Sequence, residues 1–311
     1  MLSTHSSVFL NRAAGTSSVF LVERAQGAST VRELTGGPSE ALTALGVQLS
    51  DVLSADRLLV VEGDSDREIL TVWFPDLLGN PRVEVAIGRG GDNARFAGIA
   101  RDLLQAVDRQ KSRRLLYLRD RDELSSTALD HLEADPAVYV LQRRELENYL
   151  LQDASAIAAA LVDRGVVDAD EVNSGRVQEV LREGADRLKP TIVLKRIAGE
   201  LASRRLVDRK LVAELIQQGP SLDRFHAAIA DRLPSEGLLD DLTKEWVAAE
   251  EDLAATWEER WQELAPGSDV LAYLWRTYGR SYDKLQDGLA TARRMQAPTE
   301  LTDILHRFLT D

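Results

Sequence analysis

Residues 57–66 read RLLVVEGDSD, and the fold follows from how this stretch changes character at Glu62. Its first five residues form a short apolar run of the kind found in a strand buried on both faces. Glu62 then stands at the strand's end, Gly63 allows a sharp turn, and Asp66 falls in the first turn of a helix predicted over 66–74. The same rhythm recurs downstream. Strands are predicted at 83–87, 114–118 and 137–141, and Gly88, Gly90 and Gly91 turn the chain from the first of these into a helix over 94–107. Strands that alternate with helices pair in parallel, so the expected fold is α/β, a mainly parallel sheet with helices on both faces. In such a sheet the loops at the carboxyl ends of the strands build the site.

Past Glu145 the strand signal disappears. Helical spacing is seen over 154–161, 176–188, 192–202, 206–216, 222–233 and 239–264, with two or three more helices over 269–309. Trp246, Trp257, Trp261 and Trp275 fall in this all-helical region and read as core or interface anchors rather than base-stacking platforms. Before residue 45 the chain holds two β-like runs, 7–10 and 17–22, separated by Gly15 and closed by Gly36-Gly37-Pro38. Two strands alone are marginal in water, so this segment is expected to pair with something further. Three regions are expected: 1–48, 49–152 and 153–311.

Composition narrows the chemistry. The 311 residues, 44% of them hydrophobic, suffice for two units with ordinary cores. With no Cys, a thiol nucleophile, a disulfide and Cys-ligated zinc are excluded, and with four His a metal must be held mainly by oxygen. No apolar run reaches the roughly 18 to 20 residues of a membrane span, and the start lacks the features of a signal peptide, so the expected location is cytoplasmic. The formal charge of −13 argues against phosphate binding by a general basic surface. Basic clusters do exist at Arg109, Lys111, Arg113 and Arg114, at Arg204, Arg205, Arg209 and Lys210, and at Arg293 and Arg294. Each also reads as an ordinary solvated helix face.

The acids at strand ends carry the chemistry. After the first strand of the repeat come Glu62 and Asp66; after the third, in LRDRD, come Asp120 and Asp122; after the fourth, in RRELENYL, comes Glu147 at the opening of a helix. A strand end is extended, so Asp120 and Asp122, two apart, are expected to point to the same side. Five carboxylates in one pocket repel unless cations neutralise them, and a set of oxygen ligands suits Mg²⁺ or Mn²⁺. In phosphodiester cleavage two such ions activate the attacking water and stabilise the leaving oxygen. Since 51 of the 311 residues are Asp or Glu, one acid in a loop signifies little; the placement of five at successive strand ends carries the inference.

VEGDSDREIL, YLRDRDEL and RRELENYLL, in this order and spacing, resemble the Toprim domain of the OLD (overcoming lysogenization defect) family of nucleases, which includes the Gabija-type defence nucleases. The first two motifs are shared by Toprim proteins generally, primases and topoisomerases among them, and the third turns the resemblance toward the OLD family. The resemblance implies a Toprim (Rossmann-like) sheet over 49–152 with the helical region packing on it. It implies that Glu62, Asp66, Asp120, Asp122 and Glu147 are metal ligands or their close supports, that DNA is the substrate, and that the protein is a homodimer. Ser3-Thr4-His5-Ser6 before Val8-Phe9-Leu10 is similar to the switch-histidine strand of the ABC-type ATPase domain that precedes Toprim in this family, which implies His5 near a γ-phosphate. The alternative reading of His5 is a polar loop residue.

Two departures from the family pattern shape the expectations. No Walker A sequence and no acidic Walker B strand are present, so ATP is expected to act only if a complete ATPase domain, such as a partner chain, is supplied elsewhere. The chain is expected to be the C-terminal part of an ATPase-nuclease. Where relatives carry Pro-Gly-Lys, Pro266-Gly267 is followed here by Ser268, which cannot neutralise developing charge; Lys284 and Lys195 are the candidate substitutes, both also readable as helix-surface lysines. The leading expectation is a metal-dependent DNA endonuclease of phage defence or DNA repair. The runner-up is a catalytically impaired module acting in regulation or oligomerisation, and a primase or topoisomerase is the third.

Overall fold

The computed structural model describes residues 19–25, 28–34, 55–88, 101, 114–203, 207–230 and 236–310. His5, the strand expected at 7–10, all of the helix expected over 94–107 except residue 101, and Arg109, Lys111, Arg113, Arg204 and Arg205 lie outside them. The first element is an antiparallel hairpin of β1 (Val19–Ala25) and β2 (Ala28–Leu34), in register from Val19 opposite Leu34 to Ala25 opposite Ala28. β1 overlaps the expected strand at 17–22. β2 has no counterpart in the sequence reading, because its Ser, Thr, Arg and Glu mask the apolar alternation that marks a strand.

The α/β expectation is met by a four-stranded parallel sheet. Its strands are β3 (Arg57–Val61), β4 (Val83–Ile87), β5 (Arg114–Arg119) and β6 (Val138–Val140), in spatial order β4-β3-β5-β6. β3 and β5 are central and nearly continuous in apolar residues, so both of their faces are covered: Leu58, Leu59, Val60 and Val61 are at most 1% exposed. β4 sits at an edge and shows it, since Val83 and Ala86 are buried while Glu84 is exposed. From β3 the chain steps outward to β4, then returns to the other side of β3 for β5 and continues to β6. The direction of winding therefore reverses between β3 and β5, the switch point at which parallel sheets bind their ligands.

By contact, the chain forms two compact units, one of residues 1–119, 131–140 and 296–311, the other of 120–130 and 141–295. The first unit holds the sheet. Helix α1 (Asp64–Trp73) follows β3 and buries Ile69, Leu70 and Trp73, which recur on one helical face; a one-turn helix, α2 (Pro75–Leu78), follows it. The last helix of the chain also belongs to this unit: it spans Thr299–Thr310 and buries Leu301, Leu305 and Phe308. Arg57 closes its C-terminal end, Nε donating to the Phe308 carbonyl at 3.0 Å and Nη2 to that of Leu309 at 3.4 Å. Cationic groups are favourable there, because the last carbonyls of a helix have no intrahelical donors.

The second unit is helical. After α3 (Ser126–Glu133), whose residues are shared by the two units, come α4 (Glu147–Leu150), α5 (Ala154–Asp163), α6 (Ser174–Ser203), α7 (Arg209–Gln218), α8 (Leu222–Ile229), α9 (Glu236–Leu264), α10 (Gly267–Thr277) and α11 (Lys284–Ala292). Helix α6 corrects the expectation of two helices at 176–188 and 192–202. Pro190 lies inside it, where the missing N–H and the ring cost about 3 kcal/mol in isolation. Burial on both sides of Pro190, of Val177, Val180, Leu181 and Ala185 and then of Ile192, Val193, Leu194 and Ile197, outweighs that cost.

The four tryptophans of this helical unit are core anchors, as expected. Trp246, Trp257, Trp261 and Trp275 are 0 to 6% exposed, and Trp257 Nε1 donates to Asp186 Oδ1 at 2.6 Å, tying α9 to α6. Gly184 admits the Tyr273 ring between α6 and α10, since a Cβ there would stand 2.7 Å from Tyr273 Cδ1. Among the described residues no helix is long and apolar enough to cross a membrane.

Candidate functional site

In the sheet unit, the carboxyl end of β3 presents Glu62 and that of β5 presents Arg119 across the switch point. Arg119 Nη1 donates to Glu62 Oε1 at 2.6 Å, and their side chains are only 9% and 17% exposed. The arginine belongs to the LRDRD motif but was not singled out in the sequence; its signal was its position as the last residue of a buried strand facing another strand's terminal acid. Asp66 lies in the first turn of α1, as expected, and its Oδ2 accepts the Gly63 N–H at 2.9 Å. The carboxylate thus reaches back to the N-cap backbone of its own helix, with the dipole favouring its charge.

The expected use of Gly63 is corrected. Its φ of −142° and ψ of 170° are extended values open to any residue, and an added Cβ would meet nothing closer than 3.7 Å. The turn into α1 is made by the cap, not by glycine's freedom.

In the helical unit, the segments 120–123, 143–148 and 266–268 are locked together. The expectation that Asp120 and Asp122 share a side through extended backbone is corrected, because the chain turns at Asp122, which has φ of +43°. Asp is among the few residues that enter this left-handed region readily. The Asp122 N–H donates to the Arg144 carbonyl at 2.8 Å, while its side chain is exposed. One residue on, Glu123 forms a buried ion pair with Arg144, whose side chain is 4% exposed. Burial pushes the Glu123 carboxyl above its ordinary range, with the charges of Arg144 and Lys195 pulling the other way. Lys195 on α6 is thus in electrostatic reach of Glu123.

Glu147 opens α4, as expected, and is 2% exposed, followed by the fully enclosed Asn148, Tyr149 and Leu150. Asn148 explains how so polar a segment is buried: its Nδ2 donates to the carbonyls of Gln262 at 2.8 Å and Ala265 at 2.7 Å, and its Oδ1 accepts the Glu145 N–H at 3.1 Å. The Pro266-Gly267-Ser268 turn abuts this segment. The Ser268 N–H donates to Glu145 Oε1 at 2.5 Å, so Glu145 caps α10 from a distance. Burial, followed by the charge of Glu147, raises the Glu145 carboxyl above its usual range.

Gly267 is required by this approach, since a Cβ would stand 2.8 Å from the Asn148 nitrogen and 2.9 Å from the Glu147 carbonyl carbon, backbone atoms that cannot swing aside. Gly267→Ala is expected to cost about 1 to 3 kcal/mol in a denaturant unfolding series, the usual penalty of overpacking. An unchanged unfolding midpoint would show that the turn has room the geometry does not predict.

Of the two candidate lysines, Lys284 reaches a candidate ligand directly. Its Nζ lies 2.8 Å from Glu147 Oε1, and that oxygen, fully enclosed, accepts no aligned hydrogen bond among the described residues. Nearby, the Tyr282 hydroxyl is enclosed without a partner among the described residues, and burial raises it well above the usual phenol range, so it stays neutral. Its ring packs edge-on to Trp275 at 5.2 Å.

Among the described residues, no three His, Asp or Glu side chains stand together in a way that could hold a metal ion. Three of the candidate carboxylates are already engaged by groups of the protein itself: Glu62 by Arg119, Asp66 by the Gly63 N–H, and Glu147 by Lys284. The donor set nonetheless fits a hard divalent cation in kind. It consists of carboxylate oxygens, and the Glu147 oxygen combines deep burial with an unfilled hydrogen-bonding capacity. Comparison of the chain with protein-family models, with curated proteins and with solved structures returns no match.

Proposed function

We propose that this chain is a divalent-metal-dependent DNA endonuclease of the OLD-like Toprim type, hydrolysing phosphodiester bonds in phage defence or DNA repair. The observation that carries the reading is the reversal of strand order between β3 and β5, at whose carboxyl ends the sequence sets Glu62 and Arg119-Asp120. In this reading Glu62, Asp66, Asp120, Asp122 and Glu147 hold Mg²⁺ or Mn²⁺, as two ions, and Glu62, Asp120, Asp122 and Glu147 border the reacting phosphate. The chemistry that bound cations supply in such enzymes is activation of the attacking water and stabilisation of the leaving oxygen.

The protein's own groups do the orienting. Arg119 fixes the Glu62 carboxylate, the Glu123–Arg144 pair fixes the turn that bears Asp120 and Asp122, and Asn148 anchors the segment that bears Glu147. Lys284 and Lys195 are the groups offered for neutralising charge on the phosphate, since Ser268 cannot. The reading extends to a cytoplasmic homodimer acting on DNA, with ATP entering only through an ATPase domain or partner supplied elsewhere and His5 as its switch histidine.

The test is incubation of the purified chain with supercoiled plasmid and Mg²⁺ or Mn²⁺. Nicked circles that form with the ion and fail to form in the presence of chelator are the expected result; intact plasmid with both ions would overturn the reading. A second reading, an impaired module that regulates or oligomerises, is favoured by Ser268 and by the neutralisation of Glu62 and Glu147 by basic partners. It predicts that intact plasmid.

A further inference from the structure

Glu147 is almost entirely enclosed, at 2% exposure, and the Lys284 ammonium meets its Oε1 at 2.8 Å. A carboxylate taken this far from water is costly unless a cation accompanies it. The half-buried Glu145 adds to the negative potential at the same place. Lys284 answers both charges from a mounting that is fixed at its root, with its side chain half exposed.

The root is the first residue of α11. The preceding Asp283 accepts the Gln286 N–H at 2.9 Å and donates its own N–H to Asp287 Oδ2 at 2.8 Å. Asp287 is 1% exposed and pairs with Arg164 Nε at 2.8 Å, which holds the start of α11 against α5. The head is different: the Lys284 side chain is 50% exposed, a strongly hydrated point charge on a flexible four-carbon stem. That exposure gives the ammonium access to water from a helix start that is separately anchored.

We infer that Lys284 is the built-in counter-ion of Glu147 and holds the place on that carboxylate which a divalent cation takes, so that cation binding and release of Lys284 are a single exchange. The inference rests on the metal-dependent reading above. The ammonium keeps its proton and passes to water, and the arriving ion exchanges water for carboxylate oxygen. Apparent cation affinity is then lowered by the fraction of time that Lys284 occupies Glu147, and the fold keeps its buried carboxylate neutralised when no metal is bound.

The experiment is a titration of the full chain with Mn²⁺ alone, followed by the electron-spin signal of the free ion and paired with thermal unfolding with and without chelator. Lys284→Gln is expected to bind Mn²⁺ roughly tenfold more tightly, the effect of removing a competitor present nine-tenths of the time. It is also expected to melt earlier than wild type under chelator, with a larger rise in Tm on adding Mn²⁺. Lys284→Arg keeps the charge and is expected to stay within about threefold of wild type. In a Glu147→Gln background, Lys284→Gln should have no further effect on affinity. Mn²⁺ affinity in Lys284→Gln equal to or weaker than wild type overturns the exchange alone, whereas wild-type protein that binds no Mn²⁺ overturns the metal-dependent reading and the exchange with it.

Discussion

Arg144→Met is expected to destabilise the protein by about 3 to 5 kcal/mol at neutral pH, the range for removing one partner of a buried ion pair. Arg144 is 4% exposed and Glu123 is 12% exposed, so the substitution leaves a carboxylate in a place water barely reaches. The side chain also donates to the Leu264 carbonyl at 3.4 Å, a bond that methionine cannot replace. The sign of the pH dependence follows from Glu123. Burial already holds its carboxyl above the unfolded value, with Arg144 opposing, and without Arg144 it rises further. A raised carboxyl weakens the fold as pH climbs through the interval between its unfolded and folded values, and the variant widens that interval. Below the ordinary carboxyl range Glu123 is protonated in both states, and wild type then carries an unpaired buried guanidinium of its own. The deficit of Arg144→Met, read from denaturant midpoints at several pH values, should therefore shrink on acidification. A paired change, Glu123→Leu with Arg144→Met, should recover most of the loss, because replacing both charges by apolar groups is often neutral. A deficit independent of pH and not recovered in the pair would assign the loss to packing of the arginine stem instead.

This pair also shows where the sequence stops being legible. β3 and β4 carry the predicted bounds because an apolar run flanked by Glu62 or by glycine says where a buried strand must end. The helix after β3, expected over 66–74, begins two residues earlier, at Asp64, while the burial of Asn148, Tyr149 and Leu150 follows from equally local signals. Other features are decided by groups far away in the chain. Whether Pro190 breaks a helix depends on the cores that α9 and α10 offer to both halves of α6. The left-handed turn at Asp122 is held by a hydrogen bond to the Arg144 carbonyl, 22 residues on. Two basic partners of the acids were invisible for the same reason: Arg119 and Arg144 look like other surface cations until the fold brings each to a carboxylate, and Lys284, singled out as a candidate lysine, gave no sign of which acid it meets. Acid spacing therefore suggested a cation site, while the fact that Glu62 and Glu147 are neutralised by the protein itself emerged only in three dimensions.

Glu62→Gln combined with Asp120→Asn is expected to lower the plasmid nicking rate by about 10³-fold or more, equivalent to about 4 kcal/mol of transition-state stabilisation. Amide replacements are chosen over alanine because of Arg119. Glutamine at 62 retains an oxygen that can accept from Nη1, now 2.6 Å from the carboxylate, so the guanidinium at the switch point keeps an acceptor and the strand ends stay in register. What the amide removes is charge, which a hard cation requires and a neutral hydrogen bond does not replace. The variant is expected to lose some stability, because Arg119 keeps an acceptor but not its counter-charge, while its Mn²⁺ affinity and nicking fall together. Asp64→Asn supplies the control. Asp64 shares the VEGDSD loop, but its side chain is 69% exposed and pairs with Arg67 at 3.4 Å on the helix surface. Nicking by Asp64→Asn should remain within a few-fold of wild type, as befits a surface pair of small energetic weight. If Asp64→Asn proved as damaging as Glu62→Gln, the effect would belong to the summed charge of the loop, and the assignment of Glu62 as a ligand would lose its basis.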